Sequence, residues 1–88
     1  MEVPADHERF KEQLAKHYQF PTWYLFKFIV PSDKEKEFRT MFRHIQFDSR
    51  DSKTGKYVSF SKKIKVNSSE EVIDMYNRAY AIEGIISL

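Results

Sequence analysis

Eighty-eight residues, 41% of them apolar and including eight Phe, five Tyr and one Trp, suffice for one domain with its own core, and two Gly and three Pro are too few for long disordered tracts. The lack of cysteine excludes disulfides, thiolate catalysis and cysteine-ligated zinc. A net charge of +2 is too small to imply nucleic acid, and no apolar run approaches the roughly 20 residues that span a bilayer.

In chain order, residues 6–18 are expected to form a helix that Asp6 is placed to cap, with Phe10, Leu14 and Tyr18 along one narrow stripe. Pro21 ends it, because proline disfavours a helical residue before it. Residues 23–30, WYLFKFIV, are β-branched or aromatic at most positions and read as a central strand. Ser32 and Glu35 stand at capping-box spacing, and Phe38, Met41, Phe42 and Ile45 follow at i, i+3, i+4 and i+7, which predicts a helix over 32–44. Residues 45–50 read as a weaker strand, 51–55 as a polar turn with Gly55 free to take positive φ, and 56–66, KYVSFSKKIKV, as a long strand of period two. The two strands make a hairpin. Ser68 and Glu71 repeat the capping-box spacing ahead of the stripe Val72, Met75, Tyr76, Ala79 and Tyr80. Gly84 is expected to stop that helix as a C′ glycine, and residues 85–88 to form a short last strand.

One helix followed by β-α-β-β-α-β is an α+β order. Right-handed crossovers fold it into a ferredoxin-like, four-stranded antiparallel sheet with two helices on one face. The first and third strands are then central. Residues 1–20 read as a helical extension and 21–88 as the domain itself.

Alternation divides the sheet into two faces. Tyr24, Phe26, Phe28 and Val30, with Val58, Phe60, Lys62, Ile64 and Val66, are expected beneath the helices. Lys62 is the exception, because an unpaired buried ammonium is costly; its stem must reach the rim, or a bulge must turn it outward. The other face carries Trp23, Leu25, Lys27, Ile29, Tyr57, Ser59, Lys63 and Lys65, and these eight are the candidate binding residues. An apolar patch of that kind seldom stays bare. The expectation is that the N-terminal helix covers part of it, a second subunit in a homodimer being the alternative. Charge is uneven: residues 53–67 carry five lysines and no acid, whereas 68–88 carry four acids against Arg78 alone.

No catalytic constellation stands out. His7, His17 and His44 are not paired at helical spacing, so they read as surface histidines and no metal site is expected. The carboxylates of the second and third helices lie near helix starts, where they complement the macrodipole. No serine sits in a nucleophile elbow, and two glycines build no phosphate-cradling loop. The chain is therefore expected to be no enzyme and to use no cofactor. The sharper alternative is weak single-stranded RNA binding, with Trp23 and Tyr57 as stacking groups beside Lys27, Lys63 and Lys65.

Phe20-Pro21 followed by Tyr24-Leu25-Phe26-Lys27-Phe28-Ile29 resembles the opening strand of the YbeD-like proteins, a bacterial family of unknown function. Residues 53–67, KTGKYVSFSKKIKVN, are similar to that family's Gly-x-Tyr-x-Ser hairpin strand, and the helix from Ser69 with the ending Glu83-Gly84-Ile85-Ile86-Ser87-Leu88 is similar to its closing helix and strand. The resemblance implies a ferredoxin-like fold related in shape to the regulatory ACT domains, and it brings no site residues. The expected function is a small non-enzymatic regulatory or adaptor module that binds a protein partner or small ligand. With a polar, acidic start in place of a basic and apolar leader, the expected location is the cytoplasm.

Overall fold

A computed structural model describes residues 7–88, with side chains from residue 9 onward. Its elements are α1 (His7–His17), β1 (Thr22–Pro31), a 3-10 turn (Ser32–Lys34), α2 (Glu35–Met41), β2 (Asp48–Asp51), β3 (Tyr57–Val66), α3 (Ser69–Ala79) and β4 (Ile86–Ser87). The sheet order is β2-β3-β1-β4 with antiparallel pairing throughout, so β1 and β3 are central as expected. The predicted Asp6 cap lies outside the described residues, as does the side chain of His7.

Period two sets which face is buried. Tyr24, Phe26, Phe28 and Val30 of β1 and Val58, Phe60 and Val66 of β3 are buried under the helices, while their odd-numbered neighbours face away. Phe38 of α2 stacks on Phe60 with ring centroids 4.3 Å apart, and Tyr76 of α3 lies 5.7 Å from Phe26 and 5.9 Å from Phe28. Pairing of β1 with β3 is unbroken from Thr22↔Val66 to Pro31↔Tyr57. No bulge therefore turns Lys62 outward. It stays on the helix side opposite Phe26, half-buried, as a long-stemmed amphipathic side chain can be.

Three local expectations are corrected. Ser32 caps no helix: its hydroxyl donates to Gly55 O and its N–H to Lys56 O at 2.8 Å, which ties it to the hairpin turn. The helix consequently begins only at Glu35, with no side-chain cap at Lys34. Gly84 is not the C′ residue of α3, which already ends at Ala79 with Tyr80 as its cap. The glycine instead takes φ +81° in the turn before β4, where a Cβ would stand 2.9 Å from Pro31 Cγ. The second strand starts at Asp48 rather than 45, because Ile45 and Phe47 pack against the core. The other predicted cap does form, with its return bond one residue early: Ser68 Oγ accepts from Glu71 N–H, and the Glu71 carboxylate accepts from Asn67 N–H at 2.7 Å.

The largest correction concerns α1. Phe10 and Leu14 are buried, the Phe10 ring lies 5.9 Å from Tyr76, and Tyr18 lies 5.4 Å from Tyr24. Lys11 pairs with Glu70 on α3, a bond that holds the Glu70 carboxyl below its ordinary range. The helix thus joins the layer of α2 and α3 and leaves the opposite face uncovered. The cause is apolar supply: the rings of Tyr24 and Tyr76 offer its narrow stripe a better partner than a face studded with lysine and serine.

Tyr24 and Tyr76 also share a hydrogen bond, Oη to Oη at 3.0 Å, across the core between β1 and α3. Burial pushes both phenols above the ordinary tyrosine range. Changing either one to Phe strands the other hydroxyl and is expected to cost about 1–2 kcal/mol, whereas Tyr24→Phe with Tyr76→Phe costs less than the sum. The unfolded chain releases these protons near pH ~10 while the fold still holds them, so the stability they contribute is intact below that pH and falls above it. Urea melts between pH 9 and 11.5 should fall less steeply for the double variant.

Candidate functional site

The face turned away from the helices is built by alternate residues of all four strands. Cross-strand partners share a face, so the register fixes its rows: Trp23 beside Lys65, Leu25 beside Lys63, Lys27 beside Ser61, and Ile29 beside Ser59. Tyr57 lies opposite Pro31 at one end. All eight residues singled out from the sequence therefore lie on one surface. Trp23 (64%), Leu25 (52%) and Tyr57 (42%) are well exposed, Lys27, Lys63 and Lys65 are exposed, and Ile29 and Ser59 are half-buried.

Two pairs of residues extend this surface beyond the eight. Ile86 of β4 sits opposite Ile29, and Leu88 donates its N–H to Lys27 O at 2.9 Å, so both continue the apolar stripe, 46% and 53% exposed. On the other flank Asp48 lies opposite Ser61 and Arg50 opposite Ser59. The result is an apolar band along β1 and β4, flanked by a polar half on β3 and β2. Lys27, Lys63, Lys65 and Arg50 face a single acid, Asp48, and among the described residues none of these four cations is in a salt bridge. The signal for Asp48 and Arg50 was the pairing of β2, which the sequence alone does not number; that for Ile86 and Leu88 was the register of a two-residue strand.

The surface has a shallow hollow of about 330 Å³ lined by Lys27, Asp48, Ser49, Arg50, Ser59 and Ser61. Its walls are short hydroxyls and charged side chains. A second hollow of about 330 Å³ lies at α2 between Phe38, Phe42 and Phe60, but those rings are buried, and its outer walls are Arg39, Arg43 and Gln46 with half-buried Ile45 and Phe47. Arg39 is already engaged, bonded to Glu35 at 2.8 Å and to Ser49 at 3.3 Å and seated 5.0 Å over the Phe60 ring. Among the described residues no group of three His, Asp or Glu is placed to hold a metal ion. Among the described residues no helix is long and apolar enough to cross a membrane.

The two aromatics proposed as stacking groups do not meet. Trp23 lies at the Lys65 end and Tyr57 at the Pro31 end of the same strand pair, eight positions and about 27 Å apart. Successive bases of a single strand could not bridge them as one platform.

The sequence profile of a family described as "Protein of unknown function (DUF493)" matches residues 15–88. No curated protein and no solved structure matches the chain.

Proposed function

The chain belongs to the DUF493 family of proteins of unknown function, so kinship supplies no activity, and we propose from the sheet's own geometry that it is a non-enzymatic adaptor docking a protein partner on the uncovered face. One observation carries this reading: the N-terminal helix packs on the other side, leaving Trp23 and Leu25 exposed along β1 and Ile86 and Leu88 exposed further along the same face. An apolar band of that sort is an interaction surface in most soluble proteins, since leaving it in water gains nothing for the fold. Aromatic and aliphatic anchors ringed by charge are also the composition of a protein interface. A regulatory role belongs to the same proposal and acts through whichever partner is docked.

The RNA reading is the weaker one, because the separated aromatics cannot form a joint stacking platform. A photo-crosslinking side chain at position 27 or 65 is expected to capture a defined partner in cells, whereas the same group at Glu37 on α2 captures none. Trp23→Ala in that background should abolish capture with the circular dichroism unchanged. Equal capture from position 37, or capture indifferent to Trp23→Ala, would refute the docking face.

A further inference from the structure

The outer edge of β1 is only partly covered. β4 pairs with Phe28 and Ile29, and Leu88 bonds Lys27 O, but among the described residues no strand lies against the stretch before Lys27. In an antiparallel ladder, alternate residues turn both their N–H and C=O to the same side. Lys27 and Ile29 turn theirs toward β4, so Trp23 and Leu25 turn theirs to the same open edge. Among the described residues neither has a backbone hydrogen bond there.

Soluble proteins ordinarily blunt such edges with charge, proline or short strands. The opposite edge of this sheet obeys that rule: β2 is four residues long and reads Asp-Ser-Arg-Asp. The free stretch of β1 does not, because Trp23 and Leu25 are its outward residues and no charge appears before Lys27. The charge beside it has one sign. Lys63 stands opposite Leu25 and Lys65 opposite Trp23, and a lysine stem is long enough to pass over a neighbouring strand about 4.8 Å away. The face's acid, Asp48, lies at the far edge.

We infer that this edge accepts an extended segment of a partner protein by strand addition, and that the segment alternates acidic with apolar side chains. The inference rests on the docking reading above and names its mode and chemistry. Backbone groups of Trp23 and Leu25 supply the ladder bonds, while Lys27, Lys63 and Lys65 meet the acids on the uncovered face. The apolar side chains turn toward the helix layer, where Tyr18 is exposed beside Tyr24. A second copy of this chain answers the edge less well. Its own β1 would bring more lysines to the same face with no acid to meet them, and a second α1 into the same layer.

Blocked heptapeptides test this directly: one alternating Glu and Val, one alternating Lys and Val, and the Glu–Val peptide N-methylated at alternate amides. Binding of the Glu–Val peptide is expected to slow hydrogen exchange at the Trp23 and Leu25 amides at least tenfold, and to weaken as salt rises. The lysine and N-methyl peptides should bind at least tenfold more weakly. Leu25→Pro removes a donor that faces only the open edge and should abolish binding. Lys63→Glu with Lys65→Glu, which leaves the backbone untouched, should instead reverse the preference toward the lysine peptide. Binding on the face without protection of these two amides, and tolerant of N-methylation, overturns strand addition while leaving the docking face standing. Failure of every peptide together with absent crosslinks from positions 27 and 65 overturns both. Protection that grows with concentration in peptide-free protein, with a doubled mass, assigns the edge to a second copy and also overturns the inference.

Discussion

Phe38→Ala is expected to remove about 3–5 kcal/mol of unfolding free energy, the range found when a fully buried phenylalanine is cut to a methyl. The ring has no exposed surface, and it is the meeting point of α2 with the sheet. Its ring neighbours are Phe60 at 4.3 Å, Phe42 at 4.9 Å, Phe47 at 5.2 Å and Phe28 at 5.7 Å, and rigid rings collapse poorly into the space it leaves. A domain of this size has roughly 4–13 kcal/mol in hand, so the variant should hold a substantial unfolded population at moderate temperature. Urea titration followed by circular dichroism reads the effect as a large fall in midpoint at unchanged slope. Trp23→Ala is the contrasting case: a larger side chain, mostly in water, whose loss should move stability by no more than about 0.5 kcal/mol. A loss below about 1 kcal/mol for Phe38→Ala would show that the aromatic stack between α2 and β3 does not form.

That contrast was legible in the sequence because the period of a strand is two, and a single apolar–polar alternation in β3 assigns every residue of β1 through the pairing. Phe26 and Phe60 inward, Leu25 and Ser59 outward, followed from parity alone. What parity could not supply was anything decided by competition between surfaces. The stripe of α1 fits two places, the lysine-bearing face and the flank of α3, and only the rings of Tyr24 and Tyr76, which Phe10 and Tyr18 help to cover, decide between them. Ser32 has the spacing of a cap, but a hydroxyl bonds whichever partner the fold brings near, and here that is Gly55 O. Ile86 and Leu88 joined the face through a register that two residues of β4 are too few to announce. The unblunted edge of β1 likewise became visible only once β4 proved shorter than its neighbour.

Leu14→Ala provides the second large effect and decides where α1 belongs. Leu14 is buried, and among the described side chains of α1 it shares that burial with Phe10 alone, so cutting it back should cost about 2–4 kcal/mol. Phe10→Ala, which removes the ring against Tyr76, should cost a similar amount. Stability alone would not identify the face, since a helix lying over Trp23 would also suffer. Trp23 supplies the missing readout, being the one tryptophan of the chain and lying on the side opposite α1. Its emission maximum and its quenching by acrylamide should match those of an exposed indole in the parent protein, and neither should change in folded Leu14→Ala. A blue-shifted, protected tryptophan that becomes exposed on loss of Leu14 would place the helix over the sheet's other face and take the docking surface away with it.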